Sequence, residues 1–289
     1  MSLHAASADG VCTLEVSGAV ALLTLRRPQS RNALSLSLLA SLREQLAAVH
    51  ALCATGMARG EGPRVLLLAG EGKAFCAGMD LKAVLGDEHA PLRLLTALAE
   101  ATIALRTLPC VTLAVVRGAA IGGGCGLAAV CDLCVSHAGS VMGYPEVDLG
   151  VCPAVVAPWL VQKVGMGRAR RILLLGGTMS GTQAKELGMV DELVETPEEL
   201  DARAQQIAAR LALGGPHALA ATKALLNSLE GSAGDAGSAA GVQLAAAMRR
   251  DVSHEHATRL QQAVREGARL SAAIVNTPAT QAMLRARLK

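Results

Sequence analysis

Val111-Thr-Leu-Ala-Val-Val116 runs through Arg117 into GAAIGGGCGLAAVCDL at residues 118–133, and the fold is read outward from this stretch. The first six residues are aliphatic or β-branched and uncharged, which predicts a buried strand over Val111 to Val116. A glycine-rich turn, Gly118 to Gly126, then opens an apolar stretch long enough for a short helix, and Leu133 to Ser136 reads as the next strand. Upstream the same order recurs. Arg64 to Ala69 is a short buried strand closed by Gly70, and residues 91–108 have helical spacing that Pro109 stops. Repetition of strand, turn and helix predicts an α/β fold with helices covering the sheets.

Further upstream, Val11 to Val16 and Val20 to Leu25 flank Ser17-Gly18 and predict a hairpin that Arg27-Pro28 ends. From Ser35, the positions Leu36, Leu39, Leu42, Leu46, Val49 and Leu52 share one helical face. Met57 to Pro63 reads as a loop. From Pro153 onward the chain is expected to be helical. Thr196-Pro197-Glu198-Glu199 has the form of a capping box with Pro at the first helical position, opening a helix to about Leu213. GSAGDAGSAAG at 231–241 is too small and polar to pack and reads as a linker or hinge loop. A helix from Val242 to about Arg265 and a shorter tail helix are expected to complete the chain. The resulting division is a body over residues 1–200 and a helical C-terminal region over residues 201–289.

Composition excludes several classes of function. The chain has 289 residues, 52% of them hydrophobic, which rules out disorder. Phe75, Tyr144 and Trp159 are its only aromatics, too few to stack the bases of a single-stranded nucleic acid. A net charge of +3 is weak, and the densest basic run, Arg168-Ala169-Arg170-Arg171, reads as a solvated helical face. No nucleic-acid partner is expected. The longest uncharged stretch, Leu270 to Leu284, contains Asn276 and Pro278 and is short for a membrane span. With no basic start or apolar block at the N-terminus, a cytoplasmic protein without a membrane partner is expected.

The eight cysteines lie mostly among apolar neighbours, where a free thiol packs as a small hydrophobe. Cys131 and Cys134 have CxxC spacing without a second pair to complete a site. Ser253-His254-Glu255-His256 lacks the spacing that puts two imidazoles on one helical face, so its histidines are expected to be exposed and no metal is expected.

Three features carry candidate chemistry. FCAGMDLK at 75–82 and Gly122-Gly123-Gly124-Cys125-Gly126 are glycine-bearing turns, each following a strand. Backbone N–H groups at a helix start point outward unpaired, so two such turns brought together would supply a pair of donors to an oxyanion. Glu146, in YPEVDLGVCP at 144–153, places a carboxylate in an apolar, proline-flanked turn, where burial would raise its pKa toward neutrality. The glycine run is neither a dinucleotide fingerprint, because Asp132 lies too close to serve as the ribose acid, nor a phosphate loop of GxxxxGK[ST] form.

RPQSRNALS at 27–35, FCAGMDLK at 75–82, GAAIGGGCGLAAVCDL at 118–133, YPEVDLGVCP at 144–153 and SGTQAKELGMVDELV at 180–194 together resemble the enoyl-CoA hydratase/isomerase, or crotonase, family over roughly residues 11–265. The resemblance implies a spiral core of repeated ββα units with a C-terminal helical trimerisation region, and a homotrimer or dimer of trimers. It implies an acyl-CoA substrate and no separate cofactor, CoA entering as part of the thioester. By motif, the backbone N–H groups of Met79 and Gly123 would form the oxyanion hole, and Glu146 would be the catalytic carboxylate. Ala33, Ala77, Asp80, Leu81 and Lys82 would bind the CoA, with Lys82 near its charged end.

The sequence departs from the two-glutamate hydratases at Gly126, the position of their other carboxylate. Four outcomes follow: hydration by Glu146 alone, Δ3-Δ2 isomerisation by a single base, dehydration or decarboxylation of a carrier-bound acyl group, or a catalytically silent acyl-CoA-binding relative. PEVDLGVCPAVVAPWLVQKVG at 145–165, with Gly126 before it, resembles the branched-chain glutaconyl-CoA hydratases. That subgroup implies a 3-methylglutaconyl-like substrate, whose distal carboxylate would either help place water or need a nearby cation; Lys163 and Arg168 are the candidates for the cation. Hydration of a 2-enoyl-CoA to a 3-hydroxyacyl-CoA is the leading expectation.

Overall fold

Alternate residues of the apolar strands enter two different cores. In β4 (Val65–Gly70), Leu66 and Leu68 face one core while Val65 and Leu67 face another. In β6 (Val111–Val116), Ala114 and Val116 divide from Leu113 and Val115 in the same way. Strands buried on both faces need no polar side, which is why these segments read as continuous hydrophobic runs.

The computed structural model describes residues 2–6, 10–57, 59–85, 87–229 and 252–288. Its larger sheet has seven strands. They are β1 (Ser2–Ala6), β2 (Cys12–Ser17), β3 (Val20–Leu25), β4, β6, β8 (Leu133–His137) and β11 (Glu192–Val194), in that spatial order. The first three are antiparallel, with Leu14 opposite Leu23, and the rest are parallel, with Leu67 opposite Leu113. The smaller sheet has four strands. Here β5 (Ala74–Cys76), β7 (Ala119–Ile121) and β9 (Val141–Gly143) run parallel, and β10 (Thr178–Ser180) closes the edge antiparallel.

The chain visits the two sheets in turn. β4 then β5 leads to α2 (Ala90–Arg106), β6 then β7 to α3 (Gly123–Val130), and β8 then β9 to α4 (Ala157–Val164). Each ββα unit thus gives one strand to each sheet, which is the repeated arrangement expected of a crotonase-type core. α1 (Leu36–Met57) packs on the inner face of the large sheet with α2 against it, and α7 (Leu200–Ala212) covers the outer face with Leu200, Ala204 and Ala208. Phe75, Tyr144 and Trp159 are all buried, so none offers a stacking surface.

Several expectations are corrected. The segment after Pro153 is not wholly helical: α5 (Met166–Leu175) is followed by β10, then α6 (Gly181–Glu186), then β11. α7 begins at Leu200, not next to Thr196, because the segment before it forms a turn. Half of the expected capping box survives there, Glu199 Oε2 accepting the Thr196 N–H at 3.2 Å and the Glu195 N–H at 3.0 Å. After α8 (Pro216–Leu229), the expected linker at 231–241 and the expected helix start at Val242 lie outside the described residues. Helix α9 (Val252–Val275) runs past Arg265 and Gly267 without a break, since Val264, Ala268, Ala272 and Val275 form a buried stripe against the core. The last helix, α10, spans Pro278–Arg287. The strand β1 was not anticipated. The side chains of His254 and His256 lie outside the described residues. Arg168, Arg170 and Arg171 are exposed on α5 as expected. Among the described residues no group of ligating side chains could hold a metal ion, and no helix is long and apolar enough to cross a membrane.

Candidate active site

Three neighbouring strands of the small sheet end at one cavity of about 110 Å³. The turn after β5 brings Ala77, Gly78 and Met79, the turn after β7 brings Gly122 and Gly123, and the turn after β9 brings Pro145 and Glu146. The crevice beyond the carboxyl ends of parallel strands is the usual place for a ligand in an α/β fold. Here successive ββα units supply successive parts of the site.

The first turn is held from the side by residues 31–34. Leu34 N–H donates to Gly78 O at 2.8 Å, Asp80 N–H to Leu34 O at 3.0 Å, and Ala77 N–H to Arg31 O at 3.0 Å. Met79 N–H lies between these bonds with no hydrogen-bond partner among the described residues. Holding the 31–34 segment is Asn32, fully buried and left-handed at φ 54°. Its side chain accepts the Arg27 N–H at 2.8 Å and donates to Glu71 O at 3.0 Å and Ala74 O at 2.8 Å. Asn tolerates this backbone region better than most residues. The sequence reading noted RPQSRNALS as a motif but missed this positioning role.

In the second turn, Gly122 N–H donates to Gly143 O at 2.8 Å, tying β7 to β9. Gly122 has φ 54° and ψ −118°, open only to glycine, and a Cβ there would come within 2.7 Å of Glu146 Oε1. The missing side chain is what lets the carboxylate lie against the turn. Gly123 follows as the first residue of α3, where a backbone N–H has no partner within the helix.

Glu146 occupies the third turn, its carbonyl accepting the N–H groups of Leu149 at 3.0 Å and Val151 at 2.8 Å. Its Oε2 is buried without a hydrogen-bond partner. Burial among apolar groups pushes the carboxyl up to about 7, only partly offset by its own backbone N–H. The fourth wall comes from the C-terminal helices. Ser271 of α9 donates to Cys152 O at 2.6 Å and accepts the Ala154 N–H at 3.2 Å, and Thr280 of α10 donates to Gly150 O at 2.9 Å. Nothing in the sequence near Ser271 marks it, because its partners lie more than a hundred positions away.

Of the expected site residues, Glu146, Met79, Gly123, Ala77 and Leu81 line this cavity together. Ala33, Asp80 and Lys82 do not. The Ala33 carbonyl accepts Arg27 Nη1 at 2.7 Å, Asp80 lies 3.6 Å from the Arg27 guanidinium, and Lys82 is exposed on the turn Leu81–Val84. The two cations considered for a distal carboxylate are elsewhere. Lys163 Nζ is 2.5 Å from Asp191 Oδ2 and donates to Asp132 O at 3.3 Å, and Arg168 lies on α5 beside Gly188. Gly126 is also more than an absent carboxylate: a Cβ there would meet Val156 Cγ1 at 2.2 Å, so Val156 already fills that space.

A buried acid of near-neutral pKa facing two turns with outward N–H groups suits proton transfer beside a carbonyl that gains negative charge. Comparison with known proteins agrees. Residues 15–270 match the family Enoyl-CoA hydratase/isomerase. An enoyl-CoA hydratase of Alternaria alternata is 36% identical over 220 residues, covering 75% of this chain and 69% of that one. A mitochondrial methylglutaconyl-CoA hydratase of Pyricularia oryzae is 35% identical over 213 residues, 64% of this chain and 60% of its own length. The solved structure of Pseudomonas aeruginosa AtuE is similar with a TM-score of 0.71 and 35% identity, covering 85% of this chain and 94% of that one. With its fold, its match over most of its length and these relatives, the chain belongs to the enoyl-CoA hydratase/isomerase family and is an enzyme of that family.

Proposed function

We propose that the protein hydrates a 2-enoyl-CoA thioester to the 3-hydroxyacyl-CoA. The observation that carries this reading is the unpartnered Glu146 Oε2 facing the Met79 and Gly123 turns across one cavity. The thioester carbonyl accepts hydrogen bonds from the N–H groups of Met79 and Gly123. Glu146 takes a proton from water as the hydroxyl adds to the β-carbon, and the same proton then passes to the α-carbon of the enolate. Ala33, Ala77, Asp80, Leu81 and Lys82 contact the CoA portion, with exposed Lys82 suited to its phosphates. A β-methyl branch fits the aliphatic walls around Val155 and Val156. Leu174 and Leu175, 69% and 71% exposed on α5, offer an apolar face for the trimer, which light scattering checks by mass.

Val156 beside Gly126 favours a second reading, Δ3-Δ2 isomerisation, because one carboxylate suffices to move a proton between the α- and γ-carbons. Incubation in heavy water with crotonyl-CoA and with a 3-enoyl-CoA, products read by mass, separates the two. Hydration predicts a labelled 3-hydroxyacyl thioester; conversion of the 3-enoyl thioester alone would replace hydratase with isomerase. Glu146→Gln is expected to lower turnover by about 10²–10⁴, the usual contribution of a general base. Near-normal turnover in that variant would remove Glu146 from the chemistry.

A further inference from the structure

We infer that the chamber beside Glu146 takes a short, uncharged acyl group and rejects one ending in a second carboxylate, an inference that rests on the hydratase reading of the same site. The chamber walls are aliphatic: Leu95 and Leu98 from α2, Leu149 and Val151 after the Glu146 turn, and Val155 with Val156 before α4. Among the described residues lining it, the one hydroxyl is that of Ser271, and it is already committed to Cys152 O and the Ala154 N–H. Among the described lining residues, the side chains that titrate are Glu146 and Cys152, both acids. No lysine, arginine or histidine is among the described lining residues.

A distal carboxylate would therefore exchange water for aliphatic contacts and, above neutrality, face the charged carboxylate of Glu146. Both effects oppose binding, and no cation among the described lining residues repays them. Lys163 is held by Asp191 and the Asp132 carbonyl, and Arg168 points its charge to the α5 surface. The volume of about 110 Å³ limits chain length as well. A neutral enoyl group of a few carbons, linear or β-methyl-branched, meets both restrictions. The glutaconyl type, which the sequence alone suggested, meets the second but not the first.

The test compares non-reactive thioesters by calorimetry on the wild-type protein at pH 8, butyryl-CoA against glutaryl-CoA, alongside turnover of crotonyl-, 3-methylcrotonyl- and 3-methylglutaconyl-CoA. Butyryl-CoA is expected to bind on the order of 100-fold more tightly than glutaryl-CoA, the scale set by burying an unpaired charge. Equal or tighter binding of glutaryl-CoA overturns the inference, whichever thioester is hydrated. A binding preference for butyryl-CoA without hydration of any substrate supports the inference and removes the hydratase reading. Failure of both thioesters to bind removes both.

Discussion

Glu146 owes its properties to what surrounds it more than to its neighbours in sequence. With its carboxyl pushed up to about 7 by burial, the charged form that accepts a proton dominates only above neutrality. Under the proposed mechanism the rate is therefore expected to rise with pH through about 7, a limb that a pH profile of kcat/KM would locate. Stability moves the other way. Between the ordinary value of 4.5 and about 7, the folded protein holds this proton more firmly than the unfolded chain, so stability falls as pH rises through that window. Glu146→Gln removes the loss. The variant is expected to gain up to about 3 kcal/mol over wild type at pH 8 and almost nothing at pH 4, compared by denaturant unfolding. An inactive variant that is also more stable at pH 8 would mark a residue retained for chemistry.

Helix α3 illustrates how an element can be shaped by absent side chains. Its Gly124 approaches Cys76 O, which a Cβ would meet at 2.3 Å, and its Gly126 approaches Val156. Gly126→Ala is expected to cost about 1–3 kcal/mol through overpacking. Val156→Ala should restore much of it, and a double-mutant cycle of unfolding free energies reads the coupling directly. The glycine run itself was visible in the sequence, as were the β2–β3 hairpin, α1 and β6, because each repeats its pattern over five residues or more. β5, β7, β9, β10 and β11 are three-residue strands, too short for any alternation to show, and yet three of them carry the site. The same limit explains α9. Its buried stripe past Gly267 has meaning only against distant partners, chiefly α2. The acidic residue in an apolar turn was readable; the Ser271 and Asn32 hydrogen bonds that position the turns were not, since both depend on distant carbonyls.

Across the whole molecule, Asp132 is the point where distant parts meet. Its carboxylate accepts the Thr112 N–H at 2.7 Å and hydroxyl at 2.9 Å, and lies 2.8 Å from Lys223 of α8 and 3.4 Å from Arg106 of α2. The Lys223 side chain is only 6% exposed and also donates to Cys110 O. Asp132→Ala leaves that ammonium buried without its counter-charge and is expected to destabilise by about 3–5 kcal/mol. Adding Lys223→Met should recover part of the loss, as thermal unfolding of the single and double variants would show. The small sheet acts over a similar range by other means. Its strands β5, β7 and β9 lie side by side, and each ends in one working part. When that sheet tilts or breathes as a unit, the Met79 and Gly123 turns and the proposed proton carrier Glu146 travel together, so their mutual spacing is insulated from motions of the surrounding body. Only slippage of one strand past its neighbour would detune them, and the Gly122–Gly143 hydrogen bond lies across one of those two seams.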